Sequence, residues 1–386
     1  MTLDFPVESD GKWLSQCVGI DISKDKFTAC ICLYDMCSSK AGYSKTVEFS
    51  NDKKGFNQFV KWSRKEAYKH CLLTYLMEPT GVYYEPLAYH LHKIGQTVFV
   101  VLPNKARDFC NYEGIKTKTD EMDARCLALL GCSNRKLQPW QPPSPIFREL
   151  RQMTRFMENI GKVRTELLNH LEALTNSENP EESIINYYEK LIADIDKQLK
   201  DNEKNIIEKV NSDRALKEKV ERVSTIKGIG FFTVVAIIAE TNGFALIRNR
   251  KQLASYAGLD VVAKQSGKED PKHVISKKGN AHIRRALYFP GIVAAHVNPQ
   301  AREMYSRICS RNPKAKMIGI VASMRKLLLL VYTLWKNDDV YDPNRKTTPA
   351  PRKKPCGRIG EEEVLLQVEQ KSGCKIDSQP REIVQN

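Results

Sequence analysis

The apolar pattern of the chain changes period at one point, and two kinds of architecture must therefore share one polypeptide. Upstream of Pro139, Pro142, Pro143 and Pro145 the apolar residues come in short runs, CVGIDIS, FTACICLYD, CLLTYLM and TVFVVLP. Short runs rich in β-branched and aromatic residues are strand signals. Downstream, Leu150, Met153, Met157, Ile160, Arg164, Leu167, Leu171 and Leu174 stand alternately three and four apart. That spacing is one face of a long helix, interrupted only by a single charge at Arg164. The prolines divide the two regimes, because proline ends both strands and helices.

The first regime, residues 16–138, reads as an α/β domain behind a polar leader, residues 1–15. KTVEFSN supplies a third strand, residues 53–65 a helix, and YYEPLAYHLHKIG a second helix stopping at Gly95. The stretch 104–132 is polar at first and helical from about Thr119. Strands that pair antiparallel and are then separated by helices indicate a mixed sheet with helices on both faces. Residues 145–215 form a helical arm, whose second helix carries Ile184, Tyr188, Leu191, Ile195 and Leu199 on one face. Its two helices, joined by NSENPEE, make either an antiparallel hairpin or a dimerising coiled coil, and assembly is favoured. Residues 217–338 form a mainly α-helical domain, and 339–386 a basic tail expected to lack fixed structure until a partner binds. In MIGIVASMRKLLLLVYTLWK, Arg325 and Lys326 sit mid-run and argue for a core helix instead of a membrane span.

Lys and Arg number 61 against 46 Asp and Glu, a net charge of +15. Such an excess points to a polyanionic partner, nucleic acid first, with a solvated basic surface as the plain alternative. The N-terminus lacks the basic-then-apolar pattern of a secretory signal. Eleven cysteines are scattered along the chain, many within apolar runs and Cys30 and Cys32 on one strand face, and they read as reduced, mostly buried thiols of a cytosolic protein. Without paired C-x-x-C motifs or histidines clustered beside cysteines, a zinc site is not expected.

Four acids stand where an apolar run ends or a helix begins: Asp21 in VGIDISKDKF, Glu78 in LLTYLMEPTGVYYEP, and Asp120 and Asp123 in IKTKTDEMDAR. Pro79 stops the strand behind Glu78. Asp120 and Asp123, three apart, share a helix face, and Thr119 is placed to cap that helix. Capping and the helix dipole account for the Asp pair as well as catalysis does. Carboxylates crowded together are usually compensated by a hard divalent cation, Mg²⁺ or Mn²⁺, and in a basic protein this suggests metal-assisted phosphodiester chemistry. Lys227, Gly228 and Gly230 in KGIG suit either a phosphate-binding hairpin or a helix-joining turn. Lys277, Lys278, Arg284 and Arg285 form a basic cluster suited to phosphate contact, or simply a solvated helix face. Tyr83 and Tyr84 either stack on bases or pack in the core.

The motifs GIDISKDKF, MEPTGVYYEPLAYHL and KTKTDEMDAR resemble those of the DEDD insertion-sequence transposases, whose N-terminal domain is similar to the Holliday-junction resolvase RuvC. The group includes the pilin-gene invertases and the bridge-RNA-guided recombinases. The resemblance continues through IKGIGFFTVVAIIAE, QLASYAGL, QSG, SKKGNAHIRRALYFPGIVA and MRKLLLLVYTL, in order from Val18 to Trp335. It implies a ribonuclease-H-like fold in which Asp21, Glu78, Asp120 and Asp123 bind Mg²⁺, and a serine nucleophile at Ser266 in YAGLDVVAKQSGKED. Family members often carry Arg or aromatic residues where Val262, Ala263 and Lys264 stand here, which leaves Ser276 as a competitor. The resemblance further implies a phosphoserine link to double-stranded DNA, a Holliday-junction intermediate, and a structured guide RNA. It also implies composite sites in a homo-oligomer of two to four chains, in the cytoplasm at the nucleoid. Three alternatives stay open: an endonuclease that activates water and leaves Ser266 idle, a silent nucleic-acid-binding protein, and an invertase acting at one locus.

Overall fold

The computed structural model describes residues 7–9, 12–79, 81–115, 119–245, 247–264, 272–311, 313 and 316–344. The N-terminal elements are β1 (Val7–Ser9), β2 (Lys12–Ile22), β3 (Lys26–Asp35), β4 (Lys40–Tyr43), β5 (Val47–Ser50), α1 (Lys53–Glu66), β6 (Leu73–Met77), α2 (Glu85–Lys93), β7 (Thr97–Val100), α3 (Pro103–Tyr112) and α4 (Asp120–Ser133). The strands form one mixed sheet in the order β4-β3-β2-β6-β7, with β1 added to β2 and β5 to β3. β2 and β3 are antiparallel, whereas β2, β6 and β7 run parallel.

Alternation along the strands sorts side chains onto two faces. Val18, Ile20, Tyr75 and Met77 pack with Phe56, Phe59, Leu87 and Leu91 from α1 and α2. Cys17, Cys32 and Leu76 pack with Leu127, Ala128 and Leu130 of α4 and Ala106 of α3. Each fully buried Leu, Ile or Phe contributes about 1.5–3 kcal/mol. The sheet is thus covered on both sides, and its central strands bury a few polar side chains, Ser15, Gln16, Thr28 and Thr74, among their apolar ones. The expected leader is not separate from the sheet, because β1 and the first residues of β2 already belong to it.

The second regime begins with α5 (Pro145–Thr175) and α6 (Glu182–Asn211). Arg164 pairs with Asp196, His170 stacks on Tyr188, and Asn202 donates to the Met153 carbonyl, so the two helices run antiparallel. The interrupting charge in the heptad stripe is therefore matched across the hairpin. Tyr188, Ile195 and Leu199 lie on the half-buried face of α6 as expected, but Ile184 and Leu191 are exposed. Their neighbours Ile185 and Ile192 turn inward instead. Each is half of an apolar doublet, so spacing alone did not decide which member faces α5.

The helical domain comprises α7 (Arg214–Ser224), α8 (Phe231–Glu240), α9 (Arg250–Tyr256), β8 (Val261–Lys264), β9 (Lys272–Ile275), α10 (Ala281–Ala286), α11 (Tyr288–Val297), α12 (Pro299–Arg311) and α13 (Lys316–Asn337). Its core takes Leu150 from α5, Val234 and Ile238 from α8, and Leu327, Leu328 and Val331 from α13. Among the described residues α13 alone is long and apolar enough to cross a membrane. Here it is the central core helix, with Trp335 donating to the Gly243 carbonyl and Tyr332 packed edge-on against Phe244. The antiparallel pair β8–β9 was not expected, since its strands are short and flank a polar sequence.

Candidate active site at the sheet edge

Strand register places the first two acids. Ile20 is level with Met77 in the parallel pair β2–β6, so the next residues, Asp21 and Glu78, leave the same edge side by side. Neighbouring strands lie about 4.8 Å apart, and in-register residues point to one face. Asp21 shares the face of Cys17 and Gly19, and Glu78 that of Leu76, which is the side covered by α4. Both acids are half-buried.

Glycine lets α4 come to this strand. A Cβ on Gly19 would stand 2.1 Å from the Ala124 carbonyl oxygen and 2.1 Å from the Ala128 nitrogen. One on Gly131 would meet the Cys17 sulfur at 2.2 Å. The helix thus crosses β2 at backbone contact, with Gly131 over Cys17 and Ala124 and Ala128 over Gly19. It runs opposite to the strand, so its next turn outward, carrying Asp120 and Asp123, comes over Asp21. The Thr119 hydroxyl caps that turn by accepting from the Met122 N–H at 3.2 Å. Asp120 is exposed and Asp123 half-buried. Lys26 reports the same neighbourhood: its hydrogen bond to Glu48 raises its pKa, and the charge of Asp120 adds to the effect.

The loops leaving the edge are tied together. The Asn51 amide donates to the Ser23 carbonyl at 3.0 Å and to the Tyr83 carbonyl at 3.1 Å, joining the turn after Asp21 to the loop after Glu78. Tyr84 packs on the core, where burial pushes its hydroxyl up to about 12, whereas Tyr83 is 39% exposed. The four acidic residues therefore share one edge through their backbones. Among the described residues no three His, Cys, Asp or Glu side chains form a group able to hold a metal ion.

The remaining candidates are spread through the helical domain. Ser266 lies outside the described residues. Ser276 follows β9, donates its hydroxyl to the Asp260 carboxylate, and is half-buried. Gly228 adopts φ +94° with α11 pressed against it, Ala294 Cβ lying 2.8 Å from a notional Cβ, so this glycine is required by the turn itself. Lys227 and Gly230 are exposed beside it. Arg284 donates to the Ala257 and Gly279 carbonyls at 2.9 and 3.0 Å, and Arg285 pairs with Glu158 of α5 at 2.5 Å. These two arginines clamp the fold. Lys277 and Lys278 are exposed, and neither has a carboxylate partner among the described residues.

Sequence reasoning missed α3 and the cluster behind Arg285. Pro103 in the first turn was the one local signal for α3. Glu158 holds Arg285, His282 and Lys162 together, and Glu240 takes Arg155 through two bonds of 2.6 and 2.9 Å. Among the described residues the expectation of reduced thiols fails at one place: Cys110 of α3 and Cys126 of α4 form a disulfide. Cys17, fully buried, keeps its thiol, which burial pushes up to about 12.

Known proteins give this arrangement a class. A transposase family model of the DEDD, IS110 type matches residues 18–180, and one described as the transposase IS116/IS110/IS902 family matches residues 220–306. The chain belongs to this family of DNA-processing transposases and recombinases. It is 28% identical to the pilin gene-inverting protein of Moraxella bovis over 333 residues, covering 84% of this chain and 97% of that one. The pilin gene-inverting protein of Moraxella lacunata matches to the same extent.

Proposed function

We propose that the chain is a recombinase that cuts and rejoins DNA strands without replicating them, using Mg²⁺ at the sheet edge and Ser266 as nucleophile. The observation that carries this reading is the register that sets Asp21 beside Glu78 under the first turn of α4. The strand order, an antiparallel run followed by two parallel strands, is what a ribonuclease-H-like domain requires. The donor set of Asp21, Glu78, Asp120 and Asp123 is all oxygen and anionic, which suits Mg²⁺ or Mn²⁺. A bound Mg²⁺ supplies charge stabilisation at the scissile phosphate.

The chain's own groups do the rest. The Ser266 hydroxyl gives up its proton, its oxygen bonds to phosphorus, and the phosphorus–oxygen bond to the sugar breaks. The departing sugar oxygen takes a proton. A free strand end then reverses the exchange, so bond energy is conserved. The +15 net charge supports double-stranded DNA and a guide RNA as partners. Exposed Ile184, Tyr187 and Leu191 on the outer face of α6 support association of two to four chains.

The names of the two relatives favour a second reading within the same chemistry, inversion of a DNA segment at one locus. One experiment tests the chemistry common to both: incubation of full-length protein with supercoiled DNA bearing its cognate junctions, followed by denaturing gels. Asp21→Asn is expected to abolish cleavage, and Ser266→Ala to abolish the covalent protein–DNA species. Cleavage by Ser266→Ala at the parent rate would establish a water-using nuclease, and cleavage by Asp21→Asn would remove the acids from the chemistry.

A further inference from the structure

A crevice of about 590 Å³ lies between the start of α3 and the loop leading into α10. From this the structure assigns a second nucleic-acid contact: a seat for the phosphodiester of a single strand, held between the α/β domain and the helical domain. The inference rests on the reading of the chain as a nucleic-acid enzyme and names one place where that strand is gripped.

The crevice stands beside the acidic edge of the sheet. α3 begins directly after β7, and β7 runs parallel to β6 and β2. Its first turn therefore stands at the edge from which Asp21 and Glu78 emerge, where open α/β sheets take their ligands. A strand seated here would leave towards the acids.

One wall of the crevice is already rigid. Gly279 is in such close contact with the end of α9 that a Cβ would lie 2.4 Å from the Gly258 nitrogen and 2.6 Å from the Tyr256 carbonyl oxygen. Asn280 caps α10, accepting from His282 and Ile283, and donates to Glu240 at 2.6 Å. Lys277 is held at φ +52°, its N–H donating to the Gly258 carbonyl at 3.1 Å. Lys278 is thereby presented from a fixed loop, so little order is lost when a ligand arrives.

The crevice is also positively charged. Arg107 on α3 and Lys278 on the loop line the same crevice from opposite domains. Both are exposed, and neither has a carboxylate partner among the described residues. Asp108 is the one acid in the lining, which leaves it net positive. Two cations converging on one space repel each other until an anion enters, and a guanidinium opposite an ammonium suits a phosphodiester. The volume falls within the about 300–1,000 Å³ of ligand sites, room for one nucleotide-sized group. DNA and RNA share this chemistry.

The test uses full-length Asp21→Asn protein in EDTA, so that cleavage plays no part. Fluorescence anisotropy follows binding of a labelled single-stranded DNA and an RNA of the same sequence across a salt series. Arg107→Glu with Lys278→Glu is expected to weaken binding about tenfold or more, and to lower the salt slope by about 1.4, two single-strand contacts. Arg107→Lys with Lys278→Arg should bind as the parent does, and circular dichroism of each variant checks that it is folded. Greater loss on DNA identifies the substrate strand as the occupant, and greater loss on RNA a guide strand. Parent affinity and slope in the charge-reversed protein would overturn the seat while leaving cleavage by the acids intact. Failure of the Asp21→Asn parent protein to bind either strand would overturn both.

Discussion

Gly19→Ala is the smallest change that moves the proposed catalytic helix without touching a catalytic residue. The added methyl would start 2.1 Å from two backbone atoms of α4, where ordinary carbon contacts lie at 3.4 Å or more. Neither atom belongs to a side chain that can rotate away, so α4 must withdraw by more than an ångström. Overpacking of this kind costs about 1–3 kcal/mol, and a backbone obstacle places the change at the upper end, near 3 kcal/mol. The same withdrawal lifts Asp120 and Asp123 from Asp21, and a misplacement of about 1 Å lowers a rate by about 100-fold. Urea titration measures the first effect and single-turnover cleavage the second. Gly161→Ala is the control, since a Cβ there meets nothing within 4 Å. On a helix surface it should stabilise by about 0.5–1 kcal/mol. If Gly19→Ala stayed within about 0.5 kcal/mol of the parent, the ordinary range for surface changes, and cut DNA at the parent rate, the close approach of α4 to β2 would be wrong.

Other substitutions probe the framework. Arg155→Met leaves Glu240, whose side chain is 2% exposed, without its bidentate partner and should cost about 3–5 kcal/mol in urea unfolding. Burial raises the Glu240 pKa, but hydrogen bonds from Arg155 and Asn280 and the Arg155 charge outweigh it, so the folded value is depressed. Its stabilisation is therefore complete above the ordinary glutamate range and lost as pH falls through the folded value. The parent should accordingly lose more stability than Arg155→Met on acidification, and equal losses would contradict the assignment. Reduction of Cys110–Cys126, whose partners are 16 residues apart, should lower stability by about 3 kcal/mol and loosen the segment bearing Asp120 and Asp123. Two free thiols in a non-reducing peptide map of air-oxidised protein would remove that bridge from the account.

The parts of the fold that could be read from sequence were those with a single periodic solution. The runs around Ile20, Tyr75 and Val98 are too short for a buried helix and read as buried strands, and Thr119 marked the start of α4 by its capping position. α3 escaped because its surface is polar and Ala106 is its one buried residue. Ile184 and Leu191 were misplaced because apolar doublets satisfy either register. Asp21, Glu78, Asp120 and Asp123 were found from motif positions, and the fold adds register and helix direction, which no spacing encodes. Arg284 and Arg285 look like free surface cations in the sequence, and only their distant partners, Ala257 and Glu158, show that both are tied down, Arg284 half-buried and Arg285 still exposed.

Manganese titration followed by electron paramagnetic resonance tests the central claim directly, because free Mn²⁺ loses its signal on binding and no turnover is needed. Full-length protein with cognate DNA should take up Mn²⁺, and Asp21→Asn, Glu78→Gln and Asp123→Asn should each weaken uptake by about tenfold or more, as loss of an anionic ligand requires. Uptake unchanged in all three variants would show that these carboxylates do not act on a shared ion.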